Sequence, residues 1–267
     1  MGAEARSGAS RPAGGVKDLG AALFEMPLGQ DADRAFEKAD SFLEETGLGE
    51  AAASMDRAAL RQVCASLLVH SPFLTHILRR HGTWLPAMAA AEPSAYFDDL
   101  IARTGALSEL TDQADLMREL RLAKLEAALL IALCDITKRW SLEQVTGALT
   151  RFADTAVQMA LRWAFARAVN AGTILGRADG APASLETSGL TVLGMGKYGA
   201  GELNYSSDID LVVFFEPGVL TVSDDSFERD VFVKLTQKLV KLLQERTEDG
   251  YVFRVDLRLR PAAEVTP

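Results

Sequence analysis

The stretch from Leu190 to Phe215, LTVLGMGKYGAGELNYSSDIDLVVFF, constrains the fold more than any other part of the chain. It sets two short apolar runs, Leu190 to Leu193 and Ile209 to Phe215, on either side of a loop carrying Gly194, Gly196, Gly199 and Gly201. Apolar runs this short, bounded by glycine, read as strands. Asp208 and Asp210 stand at the head of the second run. Side chains alternate along a strand, so the two carboxylates share one face while Ile209 and Leu211 take the other. Paired carboxylates repel unless a cation lies between them, and an all-oxygen donor set suits Mg²⁺. Backbone N–H groups of a glycine-rich turn form a natural cradle for phosphate, with Gly194, Gly196 and Gly199 as candidate contacts. Lys197 reads equally as a phosphate contact or a solvent lysine. Ser206 and Ser207 either donate to phosphate oxygens or shape the turn. The block therefore points to a metal beside a phosphate.

Two commoner phosphate motifs are excluded. A dinucleotide fingerprint would lead into an amphipathic helix, and here an Asp-x-Asp strand follows instead. A Walker loop would place Ser or Thr directly after Lys197, where Tyr198 stands.

A third strand is predicted over Tyr251 to Leu259. In GYVFRVDLRLRP, Tyr251, Phe253, Val255, Leu257 and Leu259 point one way, and Val252, Arg254, Asp256, Arg258 and Arg260 the other. Taken alone, this is an ordinary half-exposed strand with surface ion pairs. Beside the Asp-Ile-Asp block, Asp256 becomes a third carboxylate, and its flanking arginines meet phosphate or balance the acids.

The N-terminal two thirds read differently. Residues 1–30 are expected to be a disordered tail, small and glycine-rich at their start. From 31 to 183 the pattern is helical. Ser71-Pro72 supplies a cap followed by proline at the first helical position. Thr111 to Arg139 carries one long apolar stripe. Ser141 and Gln144 form a capping box, with Trp140 and Val145 placed for a hydrophobic staple. Gly172 to Ala183 reads as a loose boundary. Asp225 and Glu228 look like a capping pair for a helix that carries Val231 to Leu243. The fold class is α+β: an all-helical region, then a mixed sheet with helices over 184–267.

Function classes narrow further. A net charge of −9 argues against a general nucleic-acid surface, which needs clustered Lys and Arg. No apolar run reaches membrane-spanning length, and the N-terminus lacks a signal-peptide core. Cys64 and Cys134 lie far apart in apolar helical patterns and read as buried thiols, which favours the cytoplasm. His70, His76 and His81 do not form a ligand pair with a glutamate base.

These motifs resemble the nucleotidyltransferase superfamily that includes DNA polymerase β: a glycine turn, a short gap, Asp-x-Asp, and a carboxylate on a later strand. Met195 departs from the Ser or Gly usual at its position. LGMGKYGAGELNYSSDIDLVVFF together with YVFRVDLRLRP is similar to the family of bifunctional glutamine synthetase adenylyltransferase/adenylyl-removing enzymes, with Ala200 where the family usually has glycine. SPFLTHILRRH and RLAKLEAALLIALCDIT resemble that family less specifically. The wording ELNYSSDID is closest to the adenylyl-removing half, so the chain resembles a fragment with an incomplete, polymerase-β-like core at its C-terminal end. The resemblance implies removal of AMP from a tyrosine of glutamine synthetase by phosphorolysis, with adenylylation from ATP carried by a second half. It implies Asp208 and Asp210 as bridging ligands for two Mg²⁺ ions, Asp256 as third ligand or base, and Arg258 or Arg260 on the incoming anion. ATP, ADP and orthophosphate would be reactants, and a PII-type nitrogen regulator a further partner. The alternatives are another nucleotidyltransferase of the same superfamily and an inactive regulatory module.

Overall fold

A computed structural model of the chain describes residues 19–257. The helical region comprises α1 (Leu19–Leu23), α2 (Ala32–Thr46), α3 (Leu48–Ala51), α4 (Arg57–His70), α5 (Pro72–His81), α6 (Leu85–Ala90), α7 (Pro93–Ala106), α8 (Gln113–Ile136) and α9 (Leu142–Asn170). The expected caps account for several of these boundaries. Ser71 accepts from the Leu74 N–H with Pro72 in the first turn, and Ser141 and Gln144 form the reciprocal capping box.

The α+β class holds. One antiparallel pair joins β1 (Ile174–Arg177) to β4 (Leu220–Val222). A second sheet runs in the order β2 (Leu190–Met195), β3 (Ile209–Phe215), β5 (Val255–Asp256). Strand β3 pairs antiparallel with β2 and parallel with β5. Between β2 and β3 lies a single helical turn, α10 (Gly196–Gly199), and α11 (Glu228–Gln244) follows β4. The inner face of the three-stranded sheet packs on α9 and α11, where Phe215 stacks on Phe232 at 4.7 Å and Phe253 meets Phe152 at 6.1 Å. Both regions share one apolar core, which spans Leu19 to Phe253. Cys64 and Cys134 are free and buried in it, and burial pushes both thiols up to about 12.

Four expectations need correction. The expected 1–30 tail lies outside the described residues only to position 18. Leu19–Leu23 is helical, because Leu19, Leu23 and Met26 bury themselves almost completely in the helical core. The segment read as a loose boundary contains β1, which pairs with β4 from beyond the glycine turn. Glu228 does not cap α11. Its carboxylate instead accepts the N–H groups of Gly218, Val219 and Leu220 at 2.6, 3.1 and 2.9 Å, fixing the turn into β4. The third strand is shorter than its alternation suggests. Val252 and Phe253 are both buried, because both their N–H groups bond to the carbonyl of Leu243 near the end of α11. Strand pairing begins only at Val255.

Candidate active site

The acidic motif sits where β3 begins. Ile209 and Leu211 are buried and anchor the strand to the core, which turns Asp210 to the opposite, solvent-facing side. In the parallel pairing, Asp210 lies directly beside Asp256, and in the antiparallel one beside Met195. Register partners on neighbouring strands project from the same face. Asp210 and Asp256 thus project from neighbouring positions on the face left open by α9 and α11. The outward neighbours Leu193, Met195 and Phe214 are exposed on the same face.

Asp208 precedes β3 rather than lying in it. Its carboxylate accepts from Arg254 Nε, and Arg254 Nη2 donates to the Ser206 carbonyl at 2.9 Å. The pairing raises the guanidinium further above its ordinary value. Arg254, read from the sequence only as one of the arginines flanking Asp256, is the one that balances Asp208. Its place two residues before Asp256 on an alternating segment was the available signal.

The glycine turn packs hard against the acids. A Cβ on Gly196, where φ is +56°, would lie 2.7 Å from Asp210 Oδ2. A Cβ on Gly199 would overlap the Gly194 carbonyl, and one on Gly194 would lie 2.9 Å from the Tyr198 ring. Ala200 is at φ −80°, and the left-handed residue is Gly201 at +75°, so alanine costs the turn nothing there. Tyr198 fixes the turn from behind. Its ring is buried, and its hydroxyl donates to Asp154 of α9 at 2.6 Å. Burial and that carboxylate raise the phenol's pKa.

The other expected contacts fall in different places. Lys197 is exposed on α10. Ser207 donates to the Asn204 side chain at 2.7 Å and accepts the Asn204 N–H, which is turn-shaping. Ser206 and Ser207 also line a separate cavity beside α8. Arg258 and Arg260 lie outside the described residues.

Asp208, Asp210 and Asp256 offer hard oxygen donors of the kind Mg²⁺ takes. Among the described residues no three His, Cys, Asp or Glu side chains are gathered closely enough to hold an ion, and Asp208 is taken up by Arg254. The donor chemistry fits a divalent cation, with Arg254 as the competitor it would displace.

Residues 58–267 match the family described as glutamate-ammonia ligase adenylyltransferase. A bifunctional glutamine synthetase adenylyltransferase/adenylyl-removing enzyme of Bradyrhizobium sp. (strain ORS 278) is 44% identical over 260 residues, covering 96% of this chain and 26% of that protein. Its counterpart from Bradyrhizobium sp. (strain BTAi1 / ATCC BAA-1182) is 49% identical over 202 residues, 75% of this chain and 20% of that protein. The one from Caulobacter vibrioides is 41% identical over 221 residues, 82% and 22% respectively. The chain spans a fifth to a quarter of the length of these relatives.

Proposed function

The chain belongs to the glutamate-ammonia ligase adenylyltransferase family, and from that premise we propose that it carries an adenylyl-removing site acting on glutamine synthetase. In this reaction orthophosphate attacks the phosphorus of an AMP held on a tyrosine. The bond from phosphorus to the tyrosine oxygen breaks, the oxygen takes a proton, and ADP leaves. We assign adenylylation from ATP to a second site outside these residues, and include a PII-type regulator among the partners. The reading uses neither nucleic acid nor membrane, and no helix among the described residues is long and apolar enough to cross a bilayer.

One observation carries the reading: Asp210 and Asp256 lie side by side on the open face of the sheet, with the glycine turn packed against Asp210. Asp208, Asp210 and Asp256 would hold Mg²⁺, which when bound supplies positive charge to offset the negative charge gathering on the phosphorus. The N–H groups from Gly194 to Gly199 orient the phosphate, on a turn whose glycines let Asp210, the Tyr198 ring and the Gly194 carbonyl pack closely together. Arg254, once released from Asp208, has its Nε free for a phosphate oxygen, a role also open to Arg258 and Arg260. Asp256 holds the proton-accepting position if it is not itself a ligand.

The test is ADP release from adenylylated glutamine synthetase with orthophosphate, comparing wild type with Asp208→Asn and Asp210→Asn. Loss of turnover in both variants, with unchanged melting, supports the assignment. Near-wild-type turnover in either removes it.

A second reading rests on the Arg254–Asp208 ion pair, which leaves the acids without a gathered ligand set. In it the chain is a non-catalytic module. Calorimetry of ADP with and without Mg²⁺ separates the two, because an inactive module shows no Mg²⁺-dependent heat. A panel of adenylylated small molecules and RNA separates glutamine synthetase from other acceptors.

A further inference from the structure

A cavity of about 830 Å³ lies between α5, the C-terminal half of α8, the Tyr205–Ser207 segment and the turn that leads to β5. That volume falls in the range of small-molecule sites. None of Asp208, Asp210 and Asp256 lines it.

The charges on its wall are unevenly matched. Asp249 is taken by Arg80 at 3.2 Å, and Asp135 by the Tyr205 hydroxyl at 3.1 Å and Lys138 at 3.7 Å. Lys124 and Arg246 have no carboxylate partner among the described residues, against Glu248 alone on the acidic side. Lys124 is the informative group. It projects from α8 among apolar side chains, with Nζ 4.5 Å from the Phe253 ring centre and 5.8 Å from that of Phe152. Ring faces offset part of the desolvation of an ammonium but supply no hydrogen-bond acceptor. Burial lowers its pKa to about 8. An anion in the cavity would give this half-buried ammonium an acceptor other than water. The remaining wall is aliphatic and polar with three exposed large rings, Phe73, Tyr205 and Tyr251.

We propose that this cavity is a binding site, separate from the carboxylate face, for a small anion carrying a flat ring, about the size of a nucleoside monophosphate. Lys124 and Arg246 hold the anionic end, Ser206 donates a hydroxyl, and the exposed rings take the flat body. Occupancy would be felt at the acids, because the Ser206 carbonyl shares Arg254 with Asp208.

The test is calorimetry on the whole chain in EDTA, with AMP, adenosine and orthophosphate as probes. AMP should bind without a divalent cation, with adenosine and orthophosphate each at least about tenfold weaker. Lys124→Met should weaken AMP by about tenfold or more. Arg246→Gln, an exposed change that leaves the core intact, should weaken it by roughly threefold. Asp210→Asn should leave it unchanged. No AMP binding by the wild type at millimolar concentration overturns the proposal. So does binding unaffected by both cation variants, or binding that is lost in Asp210→Asn or needs Mg²⁺, which would place the anion on the carboxylate face. The proposed phosphorolysis requires Mg²⁺ and Asp210, so it survives any failure at the cavity.

Discussion

Arg254 holds Asp208 with its Nε and the Ser206 carbonyl with its Nη2, so a single guanidinium pins the first acid of the motif and the turn before it. Both partners of the ion pair are about half exposed, with side-chain exposures of 55% and 44%. Solvent screens such a pair, so its worth to folding is small and its consequence is for what else Asp208 binds.

Arg254→Gln should therefore leave the melting temperature nearly unchanged while raising Mn²⁺ or Mg²⁺ affinity by roughly threefold or more, since a competing cation is gone. Calorimetric titration of the metal checks this. Weaker metal binding in the variant would mean that the arginine organises the acids instead of competing for them.

Gly199→Ala should be among the most damaging single-methyl changes in the molecule. The added carbon runs into the Gly194 backbone carbonyl, which has no flexible end to swing away. A loss of about 2–4 kcal/mol is expected, with distortion of the turn beside Asp210. Gly47→Ala is the control. Unlike Gly199 it has positive φ, at +65°, but open space around it, and should cost only about 1 kcal/mol. Urea unfolding of the two variants separates steric overlap from backbone strain.

Arg121 is fully buried and bonds only to carbonyls, donating to Met117, Leu242, Glu245 and Gly250. Burial pulls its pKa down, and Glu245 and Asp249 pull it back up. Arg121→Met keeps the bulk but strands carbonyls at the end of α11 and in the turn toward β5. Denaturant unfolding should register a loss of at least about 2 kcal/mol. A neutral result would mean that water takes over the vacated bonds.

Lys124 gives a pH signature. Burial lowers its pKa from 10.5 to about 8, so between those values the unfolded chain retains the proton that the folded chain has lost. Below pH 8 both states are charged, and the folded one bears the full desolvation cost. That cost fades as pH rises from about 8 to about 10.5. Lys124→Met should be more stable than wild type at pH 7 by on the order of 1–3 kcal/mol, with the gap closing by about pH 10.5. Thermal melts across that range check it, and a pH-independent difference would place the lysine in water.

The parts of the fold legible in the sequence were those with local causes. Ser71-Pro72 and Ser141–Gln144 specify helix starts through bonds made within four residues. Asp210 could be located because Ile209 and Leu211 must face the core, whereas Asp208 falls just ahead of the strand. What escaped depended on distant partners. Strands β1 and β4 have four and three residues, too few for a period, and exist only because they find each other across more than forty positions. Glu228 sits three residues after Asp225 in a capping pattern, but backbone N–H groups of an adjacent turn claim its carboxylate. Val252 and Phe253 fit strict alternation in sequence, yet both turn inward over the end of α11. The pairing of Arg254 with Asp208 follows from the order β2-β3-β5, which no local pattern encodes.

The reach of Arg121 bears on how this protein can be taken apart. Its side chain starts in α8 and ends on carbonyls some 120 positions later, directly ahead of the strand that carries Asp256. A transplant of residues 184–257 onto a foreign scaffold would leave that guanidinium behind. Shuffling this segment between relatives should therefore succeed only when the donor's eighth helix travels with it.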